Sequence, residues 1–186
     1  MVNSVDNQTV IRTKQDAAQP QPNIKRWLKH SFYLKSSKRM FNLEQQEQIA
    51  HAITQAEDGH RGEIQVIIEG SLPSDYAYQY DTLQRAHYLF AKYQVWDTER
   101  NTGLLIYLNL CAHTVELVAD RGINTAVSQD IWESICQEMV GYFQQHKYTE
   151  GLCSGITALG DVLQTFYADD PEDEAGNELP NLPRLL

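Results

Sequence analysis

Cysteine is scarce in this chain: Cys111, Cys136 and Cys153 among 186 residues form no Cys-x-x-Cys. That excludes a disulfide framework and a zinc ribbon, and reduced thiols in a cytoplasmic setting are expected. Each lies in an apolar stretch and reads as a small hydrophobe. Long apolar runs are missing too. None approaches the roughly 18–20 residues of a membrane span, and Met1–Asp6 shows no basic stretch leading into an apolar one, so no secretory leader is expected. Gly-x-x-x-x-Gly-Lys-[Ser/Thr] and Gly-x-Gly-x-x-Gly are absent, so no nucleotide or organic cofactor is expected. His-Glu-x-x-His, an EF-hand loop, Asp-x-Asp-x-[Thr/Val], the Gly-x-Ser-x-Gly elbow and a cysteine with arginine six places on are absent as well. The histidines, His30, His51, His60, His87, His113 and His146, stand nowhere at ligand spacing, and His87 reads as a hydrogen-bonded core residue.

What is present indicates a folded domain. Hydrophobic residues make up 42 % of the chain and aromatics 10 %, too many for a disordered protein, and the length suits one domain. The net charge of −10 is unevenly spread. Residues 1–41 hold eight Lys/Arg against two acids, and residues 42–186 hold seven against 23. An acidic body repels phosphate backbones, so no nucleic-acid partner is expected. The stretch 24–41 carries Lys25, Arg26, Lys29, Lys35, Lys38 and Arg39 without an acid, interleaved with Trp27, Leu28, Phe32, Tyr33 and Leu34. Two readings stand: an amphipathic segment drawn to an anionic membrane surface or a protein partner, and a peripheral helix packing its aromatic side on the domain.

Periodicity predicts one α/β domain between tails. Residues 1–23 read as a flexible tail, 24–41 as the basic segment, 42–168 as the domain and 169–186 as an acidic, proline-containing tail. Asn42 caps a helix ending near Asp58-Gly59, and Glu63–Gly70 reads as a buried strand. Pro73-Ser74-Asp75 opens one helix with Tyr76, Tyr80, Leu83, His87 and Phe90 on a face. Gly103–Leu110 is a strand covered on both faces, and Val115–Ala119 returns antiparallel to it. Ser128 and Thr149 begin the last two helices, and Gly151 and Gly155 suggest close packing of the final one on the sheet. The order αβαββαα implies a three-layer α/β/α sandwich: a small mixed sheet with helices on both faces.

Acidic residues gather in loops at one edge of that sheet. Asp97 and Glu99 precede the second strand, Asp120 follows the third, and Asp130 opens the next helix. Several carboxylates with loop carbonyls are what Ca²⁺ or Mg²⁺ requires. Local work is the alternative: Asp97 and Asp120 closing turns, Asp130 at a helix N-terminus, Arg100 or Arg121 pairing with a neighbour.

The segments Arg100–Tyr107 and Val115–Ile123, with Tyr148-Thr149-Glu150-Gly151-Leu152 opening the last helix, resemble the TPM domain, a family also labelled phosphatase-like after a plant thylakoid protein. The likeness spans about residues 43–168 and points to a short bacterial branch without a transmembrane segment. It implies an α/β/α sandwich, a divalent-cation loop site in some members, often for Ca²⁺, and weak acid phosphatase activity in the plant relative. Thr102 separates Asn101 from Gly103 where the family has Asn-Gly, Ser128-Gln129 stands in place of Thr-Asp, and Asp120 falls where many members have glycine. The resemblance therefore carries over Asp97, Asp120 and Asp130 as metal-site candidates. Two functions are expected to compete: a non-catalytic interaction module, peripheral to the inner membrane face or bound to a protein, and a metal-dependent acid phosphatase with Arg100 or Arg121 stabilising developing charge.

Overall fold

Reciprocal capping boxes start two of the helices. Asn42 accepts from the Gln45 amide while the Gln45 side chain accepts from the Asn42 amide, which opens α3 (Leu43–Ala56) after two shorter helices, α1 (Ile24–Ser31) and α2 (Ser37–Met40). Asp81 and Gln84 form the same box at the head of α5 (Thr82–Lys92). That box accounts for a correction: the single helix expected from Ser74 onward is two, because α4 (Ser74–Gln79) stops at an extended Tyr80 and Asp81 starts the chain turning again. The computed structural model describes residues 21–98, 101–167 and 178–186. Residues 1–20 of the expected flexible tail and the acidic run 169–174 lie outside them.

Strands β1 (Glu63–Glu69) and β2 (Gly103–Asn109) run parallel, in register from Glu63 opposite Gly103 to Glu69 opposite Asn109. Strand β3 (Thr114–Ala119) returns antiparallel to β2. Helices α6 (Arg121–Ala126), α7 (Gln129–Gln144) and α8 (Tyr148–Tyr167) follow, and β4 (Arg184–Leu185) closes the sheet in the order β3-β2-β1-β4. Sequence alone placed the residues of β4 in a tail and those of α6 in a loop.

One sheet face presents Ile64, Val66, Ile68, Leu104, Ile106 and Leu117 to a core shared with Ile49 and Ile53 of α3, Met139 and Phe143 of α7, and Ile156 and Leu159 of α8. The opposite face sets Ile67, Leu105, Tyr107 and Val118 against Ala86 and Leu89 of α5. Helices on both faces of a mixed sheet make the expected sandwich, and they explain why β1 and β2 are apolar without alternation. The glycines of α8 pack on helices rather than on the sheet. Cβ atoms at Gly151 and Gly155 would meet Tyr142, Phe143 and Met139 of α7, and one at Gly160 would meet the Ala56 backbone of α3.

Candidate functional site

The hairpin geometry brings the start of β2 beside the exit of β3, as the strand order predicts: the Asp120 amide donates to the Gly103 carbonyl at 2.9 Å. Asp120 caps α6, its Oδ1 accepting from the Arg121 amide at 2.6 Å. The residue is 8 % exposed, and its Oδ2 is buried without a hydrogen-bond partner. Asp97 is exposed on the turn after α5, where its amide donates to the Gln94 carbonyl at 2.9 Å. Asp130 is exposed in the first turn of α7, a favourable place for a carboxylate. Glu99 and Arg100 lie outside the described residues. Among the described residues, no three His, Cys, Asp or Glu side chains gather closely enough to hold a metal ion. Of the described candidates, Asp120 alone pairs an oxygen fixed by the backbone with one that is buried and unmatched.

The basic segment folds with its apolar stripe outward. Ile24, Leu28 and Phe32 follow one another at successive turns of α1, and they are 62 %, 42 % and 75 % exposed, with Leu34 beyond them at 89 %. Lys25, Lys29, Lys35, Lys38 and Arg39 of the same segment are exposed as well. Polar groups instead face the protein. Arg26 is turned inward: its Nε donates to the Ala77 carbonyl at 2.8 Å and its Nη2 to the Tyr78 carbonyl at 3.3 Å, tying α1 to α4. Trp27 is half-buried, and His30 is buried with Nδ1 accepting from the Leu72 amide at 3.0 Å. Burial, with Lys29 and Arg26 adding repulsion, lowers the His30 pKa to about 4.

A buried polar network that sequence reasoning missed fixes the carboxyl ends of β1 and β2 against α5. Arg85 donates to both oxygens of Glu69, at 2.6 and 3.2 Å, and Tyr107 donates its hydroxyl to Glu69 Oε2 at 2.5 Å. Asn109 donates to the Tyr107 oxygen at 2.9 Å and accepts from the Ala112 amide at 2.9 Å. The rings of Tyr76 and Tyr88 lie 5.2 and 5.3 Å from the guanidinium. Burial pushes the Tyr107 phenol well above its ordinary pKa, so it stays a donor. The signal was available, since a glutamate and an asparagine ending two apolar parallel strands need partners. A network with its donors and acceptors matched holds structure rather than substrate.

The fold is that of an α/β/α sandwich with an acidic, helix-capping loop at one sheet edge and a basic apolar ridge at the other. Residues 35–162 match the TPM domain, and the chain belongs to that family. Among solved structures it is similar to the BA42 protein of the psychrophilic bacterium Bizionia argentinensis, determined by NMR, at 28 % identity and a TM-score of 0.71 over 81 % of this chain and 99 % of that one. No curated protein matches it. No helix among the described residues is long and apolar enough to cross a membrane.

Proposed function

We propose that this TPM-domain chain is a non-catalytic docking module that seats its N-terminal segment on an anionic membrane surface and holds a divalent cation at the β2–β3 edge. The observation that carries the reading is the inverted first helix. Ile24, Leu28 and Phe32 face solvent while Arg26 and His30 face the protein. An apolar ridge in a segment that also exposes five cations suits an interfacial helix, with each basic residue worth about 1 kcal/mol near anionic lipid. The acidic remainder of the chain is repelled by such a surface, so it orients the molecule ridge-down.

Vesicle co-sedimentation tests it. The full chain is expected to bind vesicles containing phosphatidylglycerol and to leave phosphatidylcholine vesicles in the supernatant, with binding weakened by salt. Phe32→Ser with Leu34→Ser should lower the affinity by about tenfold or more, since each removes a largely apolar contact at the interface. Equal binding of the double variant and the parent would sink the reading.

The buried, unmatched Asp120 Oδ2 supports the cation. A Ca²⁺ or Mg²⁺ ion would take that oxygen, with loop carbonyls and water completing its oxygen shell. The same oxygen beside Arg121 favours a second reading, a metal-dependent phosphomonoesterase of low activity. That reading expects metal-dependent hydrolysis of p-nitrophenyl phosphate, abolished in a folded Asp120→Asn variant.

A further inference from the structure

Segment 178–186 runs along the edge of β1 that faces away from β2, in the same direction as the strand. At its start Glu63 accepts from the Leu179 amide at 3.1 Å, and from the Glu178 amide as well. Further on, Gln65 donates to the Pro180 carbonyl at 3.3 Å and accepts from Arg184 Nε at 3.2 Å. Arg184 and Leu185 then pair with Ile67 and Ile68, and at the far end Ser37 and Gly70 hold the Leu186 carbonyl.

These contacts make the β1 edge a peptide-binding groove whose occupant comes from the same chain. Glu63 and Gln65 are buried polar side chains in a strand that also holds Ile64, Val66, Ile67 and Ile68. Both read main-chain groups of the segment, Glu63 its amides and Gln65 a carbonyl, as strand-addition sites do. Side chains of the segment add specificity. Leu179 is buried in the apolar cluster of Ile67, Ala86, Leu89, Val95 and Leu105, and the Arg184 guanidinium lies 4.6 Å from the Tyr93 ring.

The connection to this segment is long for the step it makes. Helix α8 ends at Tyr167, whose carbonyl accepts from the Arg61 amide at 3.2 Å, and Glu178 begins the segment beside Glu63. Residues 168–177 thus bridge the neighbourhoods of Arg61 and Glu63 with ten residues, whose reach at full extension is about 33–36 Å. A second copy within that reach offers the same groove, and every contact made within one chain is made equally between two. Emptying the groove instead would leave the Leu179 pocket and the β1 edge to water. We propose that two copies of this chain exchange segments 178–186, each laying its own along the β1 of the other in a closed, two-fold dimer. The exchange does not depend on the membrane-docking reading.

A short connection presents the segment to its own groove at a millimolar effective concentration, so dimer is expected near about 1 mM chain and monomer near about 10 µM. Sedimentation equilibrium of the full chain reads this, with the protein unfolded in urea and refolded at each concentration so that exchange equilibrates. At the higher concentration, an equal mixture of deuterated, nitrogen-15-labelled chain and carbon-13-labelled chain is refolded together. It should show NOEs from Leu185 and Leu186 of one molecule to the Ile67 and Ile68 amides of another. Monomer at both concentrations would overturn the exchange, and so would a dimer without those NOEs. Phe32→Ser with Leu34→Ser should dimerise like the parent, which separates the exchange from any association through the ridge. Leu179→Asp should free the groove of its own segment. A synthetic peptide of residues 178–186 is then expected to bind that variant about tenfold or more tightly than it binds the parent, where the chain's own segment competes. Equal affinity for the two chains, or binding to neither, would overturn the groove. If Leu179→Asp does not fold, the parent's mass and NOEs decide.

Discussion

At the scale of single residues, His30 couples pH to the attachment of the N-terminal helix. Its imidazole is 3 % exposed and its Nδ1 accepts from the Leu72 amide, an interaction that protonation would abolish. The unfolded chain takes up a proton near the ordinary 6.5, whereas the folded one resists until about 4. The His30 contribution is therefore complete above 6.5 and is lost as pH falls toward 4. Its ceiling is on the order of 3–4 kcal/mol. Glu57 acts with the opposite sign. Burial first, with Glu63 nearby, raises its pKa from 4.5 to about 8, so its contribution is complete below 4.5 and is lost as pH rises toward 8. The parent's profile sums both, and the difference between the parent and His30→Asn isolates the histidine. In urea titrations across this range, the parent should lose stability relative to His30→Asn on acidification, and the Leu72 amide resonance should shift with it. A constant difference would show that His30 does not titrate as the fold opens.

Among secondary-structure elements, close helix packing reverses the usual preference of helices for alanine over glycine. An exposed Gly→Ala change in a helix stabilises by about 1 kcal/mol. At Gly160 the added Cβ would stand 2.9 Å from Cα, Cβ and the carbonyl oxygen of Ala56, backbone that α3 cannot readily move. Gly160→Ala is expected to destabilise by about 1–3 kcal/mol. At Gly155 the obstacle is the flexible side chain of Met139, so Gly155→Ala should cost less. Thermal unfolding of the two variants checks the ranking, and a stabilised Gly160→Ala would refute the α3–α8 contact. These glycines were visible in the sequence, but which layer they faced was not, since spacing on one helix does not name its partner. The Asp81–Gln84 box was legible as well. It was overridden by an aromatic stripe, Tyr76 through Phe90, that keeps helical spacing across the break. Strands β1 and β2 could be read from their buried Ile, Val and Leu runs, and β3 from the short turn that returns it beside β2, while β4 has two residues and is defined by the β1 edge it covers. The Asp120–Gly103 adjacency followed from one hairpin. The seating of segment 178–186 along β1 did not, because it joins Glu63 with Leu179 and Gln65 with Arg184, residues that only the tertiary fold brings together.

For the molecule as a whole, the last residues bind the two ends of the described chain to one sheet edge. The Leu186 amide donates to the Ile68 carbonyl at 2.9 Å, and the Leu186 carbonyl accepts from the Gly70 amide at 3.2 Å and from the Ser37 hydroxyl at 2.7 Å. The same carbonyl thus caps the sheet and anchors α2, and Arg184 adds a guanidinium 4.6 Å from the Tyr93 ring. Removing Arg184–Leu186 takes away at least four bonds, the three of Leu186 and the one Arg184 Nε donates to the Gln65 side chain at 3.2 Å, at about 0.5–1.5 kcal/mol each, so a loss of roughly 2–6 kcal/mol is expected. It also uncovers β1, and an open edge beside an apolar strand invites pairing with a second chain. Urea denaturation should report the loss, and light scattering of the truncated chain should rise with concentration. The consequence reaches the docking ridge, because Ser37 follows directly on Leu34–Ser36 and holds that loop in place. The truncated chain, assayed while still folded, should bind phosphatidylglycerol vesicles more weakly although every ridge residue is intact. Unchanged vesicle binding would mean that the contacts of α1 with α4, through Arg26 and Asn23, suffice to present the ridge without the C-terminal strand.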